Sequence, residues 1–240
     1  MKKRMFVLLV LFGFLAQCGA ESEHVKDLHR LNHAARVLSE TMRAPDQRIP
    51  DHILKGARCI AVVPHLVKGG FIFGAEEGKG VATCRTARGW SAPAFIQMGG
   101  GSWGTQVGVE AVDLVMVVRG REGMEKLLAS KFEIGRDASV AVGPVGRHSS
   151  ENTDAKLNAL ILTYSRAKGA FLGMTFDGAV VRGDDDARHA VYGRGVTTSE
   201  VLLGRVALRA GARPFIAAVR RAEAQAALHG ARRRARRHRR

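Results

Sequence analysis

The residues predict an α+β fold, a glycine-rich and mainly antiparallel sheet or partly closed barrel with a few short helices packed on it. Three observations carry this. Between Lys68 and Arg119, short β-branched and aromatic runs follow one another as strands would, at Phe71 to Gly74, Val81 to Arg85, Trp90 to Gln97 and Thr105 to Val118. Glycine stands where those runs end, and the chain holds 28 glycines against 6 prolines. Gly78-Lys79-Gly80 is expected to turn a hairpin, and Gly99-Gly100-Gly101 to let backbone pass close to backbone. Helical periodicity is confined to short stretches on either side.

In chain order, residues 1–20 read as an export signal. Lys2, Lys3 and Arg4 precede an apolar run from Met5 to Ala16 that is short for a membrane span. Leu15-Ala16-Gln17-Cys18 resembles a lipobox, which would acylate Cys18, whereas Cys18-Gly19-Ala20 fits ordinary cleavage after Ala20. Either route takes the protein out of the cytoplasm, to the periplasm or the outer membrane. Residues 21–48 hold an amphipathic helix, with Val25, Leu28, Leu31, Ala35, Leu38 and Met42 on one face and Lys26, Arg30, Arg36 and Arg43 opposite. That helix either caps the sheet or lies on an anionic membrane.

Residues 49–204 form the expected domain. Asp51 reads as the cap of a short helix from His52 to Ala57, leading into a strand from Arg58 to Val63. Arg121 to Ser130 has the composition of a surface helix, and strand character resumes at Ser139 to Val145. Arg147 to Ala155 reads as a loop, with strands at Leu157 to Thr163, Ala170 to Phe176 and Ala179 to Arg182. Asp184-Asp185-Asp186 reads as a solvated turn without the donor spacing of a calcium loop, and Thr197 to Leu203 as a short capped helix. Cys59 and Cys84 fall on sheet segments, as one disulfide in an oxidising compartment or as two buried thiols.

Residues 205–240 differ in kind. Pro214 to Leu228 is helical by propensity, and the ARRRARRHRR end carries Arg232, Arg233, Arg234, Arg236 and Arg237 without an acid among them. A block of like charge is expected to stay disordered and to attract phosphate-bearing surfaces. The net charge of +16 has the same implication, and export favours lipid over nucleic acid.

Chemistry-bearing patterns are weak. Gly100-Gly101-Ser102-Trp103-Gly104 has the spacing of a nucleophile elbow but precedes a strand where that motif needs a helix. His29 and His33 stand four apart on the first helix, with no third residue spaced to complete a metal site. No Cys-x-x-Cys accompanies Cys59 or Cys84. The reading is therefore non-enzymatic, with no cofactor and no metal.

Four blocks point further. Trp90-Ser91-Ala92-Pro93-Ala94, GGGSWGTQVGVEAVDLVMVV from Gly99, Ala141 to Arg147 as AVGPVGR, and Tyr164 to Phe171 as YSRAKGAF resemble the successive blocks of the SYLF domain family. The likeness runs from about Ile53 to Leu203. It departs where Gly169-Ala170-Phe171-Leu172-Gly173 stands for the usual Gly-Leu-Phe-Ala-Gly. The resemblance implies binding of phosphoinositides and other acidic lipids, and for eukaryotic members binding of actin. Lysine and arginine would pair with phosphate oxygens. Lys68, Arg147 and Lys168 beside glycines are the first candidates, with Arg166, Lys55 and Arg58 behind them. The alternative is an envelope scaffold that holds a protein partner and touches lipid only incidentally.

Overall fold

A computed structural model describes residues 25–44, 48–70, 73–103, 108–129, 131–145, 159–167, 170–172, 174 and 176–237. The expected export signal with Cys18, the expected loop carrying Arg147, and Lys168 lie outside the described residues. The fold is α+β as expected. Among the described residues, ten strands form one mixed sheet, curled into a half-barrel, in the order β6-β10-β4-β2-β1-β5-β8-β7, with β3 on β2 and β9 on β8. These are β1 (Ala57–Gly70), β2 (Phe73–Thr86), β3 (Gly89–Trp90), β4 (Ala94–Trp103), β5 (Gly108–Arg119), β6 (Lys131–Glu133), β7 (Val140–Val142), β8 (Ile161–Ala167), β9 (Ala170–Leu172) and β10 (Val180–Gly183). All pairings are antiparallel except β7 with β8.

Six helices flank the sheet among the described residues: α1 (25–43), α2 (Asp51–Lys55), α3 (Gly120–Leu128), α4 (Asp185–Tyr192), α5 (Thr198–Leu202) and α6 (Arg213–Arg237). The stripe on α1 settles its placement. Leu31, Ala34, Leu38 and Met42 are buried, so α1 caps the sheet instead of presenting that face outward. On α6, Phe215, Ile216, Val219, Ala222 and Ala226 are buried in the same core. No helix among the described residues is long and apolar enough to cross a membrane.

Several local expectations are corrected. Gly78-Lys79-Gly80 is not a turn; β2 runs through it from Phe73 to Thr86. The glycines serve a close approach. The neighbouring β1 is irregular here, its register to β2 breaking between Val62 and Val67. A Cβ on Gly78 would sit 2.7 Å from Leu66 and Val63 side-chain carbons, and one on Gly80 would sit 2.4 Å from the Val62 carbonyl oxygen. Gly100 does meet backbone, as expected, since a Cβ there would lie 2.9 Å from Ala179 Cα. Asp51 is the first residue of α2 instead of its cap, and its carboxylate pairs with Arg48.

The acidic triplet is not a solvated turn. Asp184 is fully buried and caps α4, accepting the Ala187 amide, while Asp185 and Asp186 form the first helical turn, where negative charge suits the helix dipole. Thr197 caps α5 as expected, in a capping box with Glu200. The backbone of α6 does not stop at Leu228 but continues to Arg237, because alanine and arginine are both strong helix formers. Cys59 and Cys84 face each other across β1 and β2 and are joined in a disulfide.

Candidate functional site

The polar face of α1 and the irregular centre of β1 make a cleft between them. Lys26, His29, Arg30 and His33 recur at three and four, so they share one face over two helical turns. Opposite them, β1 breaks its pairing with β5 between Val63 and Leu66. Pro64 removes a ladder donor there, and His65 adopts φ 55, the left-handed conformation that costs a β-carbon residue about 1–2 kcal/mol. The Asp113 carboxylate of β5 accepts the His65 amide at 3.0 Å and holds the bulge in place. Lys79, exposed between its two glycines, completes the wall. The result is a cavity of about 380 Å³ lined by Lys26, His29, Arg30, His33, Pro64, His65 and Lys79.

One buried carboxylate organises the floor. Asp184 Oδ2 accepts from Arg30 Nη1 at 2.8 Å and pairs with Lys79 Nζ at 3.3 Å, while Arg30 Nη2 lies 3.2 Å from Asp27. The Arg30 guanidinium also lies over the Phe95 ring, 5.3 Å from its centroid. Burial pushes the Asp184 carboxyl up, but hydrogen bonds and charge from Arg30, with Gln97 and the Ala187 amide, hold it below the usual carboxylate value. His33 is pushed down by burial first, then by Arg36 and His29, against a pull upward from Asp113. No three histidine, cysteine or acidic side chains among the described residues converge as metal ligands.

The basic residues expected from the sequence do not converge on this cleft. Lys68 lies near the far end of β1, where its ammonium is 3.2 Å from Glu76, its register partner on β2, and 4.6 Å from the Phe176 ring centroid. That pair is internal. Burial pushes the Glu76 carboxyl up and Lys68 draws it back. Lys55 ends α2 and Arg58 stands at the start of β1, both exposed and toward the opposite end of that strand from Lys68. Arg166 on β8 is the register partner of Asp113, whose carboxylate accepts the His65 amide, and is not among the residues that line the cleft. The arginines from Arg232 to Arg237 continue α6. The cleft itself had a signal in the sequence, the basic and histidine-rich face of α1, which points to a metal pair when His29 and His33 are taken alone. Its other wall did not, because nothing local places His65 or Lys79 beside that helix.

Comparison with known proteins agrees with the block pattern. Residues 99–222 match the family model described as Ysc84, Las17-binding protein actin regulator. Protein YSC84 of Saccharomyces cerevisiae (strain ATCC 204508 / S288c) is 32% identical over 194 residues, covering 76% of this chain and 41% of the relative. LAS seventeen-binding protein 3 of the same yeast is 32% identical over 184 residues, 72% of this chain and 39% of the relative. SH3 domain-containing YSC84-like protein 1 of Homo sapiens is 29% identical over 178 residues, 71% of this chain and 52% of the relative. The chain thus spans about half the length, or less, of these curated relatives. With the ordered blocks, the sheet they build and the match over residues 99–222, this chain belongs to the Ysc84 family, the SYLF family of the block pattern.

Proposed function

We propose that this chain is a non-enzymatic module that binds phosphate groups of anionic lipid at the cell envelope, outside the cytoplasm. The observation that carries this reading is the cleft, in which Lys26, Arg30 and Lys79 meet three histidines at the surface. Ammonium and guanidinium donors form strong charge-assisted hydrogen bonds with phosphate oxygens. Exposed Lys55 and Arg58 and the arginine-rich end add long-range attraction to an acidic surface. The Cys59–Cys84 disulfide supports an oxidising compartment, in keeping with the export signal. Export also weighs against nucleic acid as the partner.

A second reading rests on the family description. Relatives are named for binding Las17, which favours a protein partner at the envelope, with lipid contact incidental. Flotation separates the two. The full chain and a chain ending at Leu228 are floated with phosphatidylcholine vesicles, with and without phosphatidylglycerol, at low and high salt. Ala226 is the last buried residue described on α6, so the shorter chain keeps its packing. Flotation of both chains with acidic vesicles only, lost as salt rises, supports a folded lipid binder. If only the full chain floats, the arginine-rich end is a non-specific anchor; if neither floats, the protein-partner reading takes its place.

A further inference from the structure

The cleft holds more cationic groups than it has free positive charge. Lys26, Arg30 and Lys79 line it, but Arg30 and Lys79 are paired with Asp27 and Asp184. Charges of both signs surround it. Arg36 acts on His33 and Arg166 faces Asp113, while Asp113 underlies His65 and Glu77 shares the exposed face of β2 with Lys79. With neutral imidazoles the cavity therefore attracts an anion only weakly, and both terminal nitrogens of Arg30 are already engaged by aspartates.

The three histidines change this. His29 and His33 are one turn apart on α1, and with His65 of the bulge they line the same cavity. Histidine is the side chain whose charge changes between about pH 5 and pH 8, and each imidazolium has two N–H donors and no acceptor. Three protonations add three positive charges to the lining of the cavity. The geometry points to an acid-activated anion site, in which His29, His33 and His65 take up protons together with the phosphate oxyanion of a lipid headgroup or of a soluble phosphate ester. This deepens the lipid reading and rests on it for the source of the anion.

Burial and Arg36 hold His33 below its ordinary value, so a bound anion draws in a proton that the free protein lacks at neutral pH. The sign follows. Affinity is full where the imidazoles are charged and falls as pH rises through their titration. The left-handed conformation of His65 agrees with a residue placed for its side chain, since glycine or asparagine would suit that backbone better.

The test uses the full chain and two probes whose charge is constant across the range. Phosphatidylglycerol vesicles supply a phosphodiester headgroup, and inorganic sulfate supplies a soluble tetrahedral dianion. Binding is measured at about pH 5.5 and about pH 8, by sedimentation and by calorimetry, for the wild type, for a His29→Gln, His33→Gln, His65→Asn triple variant, and for Lys79→Gln. Asparagine keeps the left-handed backbone accessible, and circular dichroism with a melting curve confirms that each variant is folded. The wild type should bind about tenfold more tightly at the lower pH. The triple variant should lose that difference and keep its affinity at the higher pH. Lys79→Gln should weaken binding at both and retain the difference. Equal vesicle binding at the two pH values, in wild type and triple variant alike, overturns the acid-activated site and leaves the lipid reading standing. Sulfate binding with the expected pH dependence but no vesicle binding keeps the site and removes the lipid reading. Failure to bind either probe at either pH overturns both.

Discussion

The two terminal helices are fastened to the sheet by the same device in different surroundings. On α1, Arg30 pairs with Asp184 and lies over Phe95; on the other flank, Arg85 of β2 pairs with Glu223 of α6 and lies 4.7 Å from the Trp90 ring centroid. Trp90 Nε1 donates to the second Glu223 oxygen at 3.0 Å. The difference is water. The Arg30 and Asp184 side chains are 11% and 0% exposed, whereas Arg85 and Glu223 are 28% and 36% exposed. A buried pair is costly to break because the remaining charge is stranded, while a half-exposed one is replaced by solvent. The α1 fastening therefore also organises a cleft, and the α6 fastening simply adds to an apolar seam of Phe215, Ile216, Val219 and Ala222.

Breaking the buried clasp should have the largest effect. Asp184→Ala leaves buried Arg30 with Asp27 alone, takes the partner from Lys79 and removes the α4 cap, and should lower stability by about 3–5 kcal/mol in urea unfolding; a loss below about 1 kcal/mol would show that the two clasps are equivalent. Next comes the disulfide beside Arg85. Replacing Cys59 and Cys84 together by alanine should cost about 2–4 kcal/mol by the same measurement, with α1 contacts unchanged in amide exchange. Glu223→Gln should cost about 1 kcal/mol or less, since solvent screens that pair and glutamine can still accept from Trp90. His65→Gly should change stability least, and in the opposite direction. Relief of the left-handed conformation should raise it by about 0.5–1 kcal/mol while acid-dependent anion binding falls.

An acid titration sharpens the same contrast. Burial pushes both Asp184 and Glu223 up, but their arginine partners, with Trp90 also acting on Glu223, leave both carboxyls below their ordinary values. Each therefore contributes stability that is present above the unfolded carboxyl value of about 4 and is lost as pH falls through the folded value. Asp184→Ala should flatten the acid limb of the stability curve between about pH 5 and pH 2, and Glu223→Gln should flatten it less.

Much of this was legible along the chain. The α1 stripe, the β-branched strands, the Thr197 capping box and the order of the family blocks are local patterns, and local physics writes them directly into residue order. Gly78 and Gly80 misled because a strand passing a bulge and a tight turn both ask for a missing Cβ, and only the neighbouring strand tells them apart. The acidic triplet misled similarly. Its first residue is buried by Arg30, 154 positions away, a separation no window of sequence spans.

The residues by themselves determined the α+β class, the amphipathic stripe of α1, the two cysteines placed on sheet segments, and membership of the family. Each depends on periodicity, propensity or motif spacing, which act over a few residues or recur in fixed order. Tertiary structure alone decided that the cysteines stand in register, that Lys68 is committed to Glu76, and that three histidines and three cations from α1, β1 and β2 share one cavity. Those facts depend on strand register and on a bulge that turns His65 toward a distant helix. They arise from long-range pairing, which the order of residues constrains only through the whole fold.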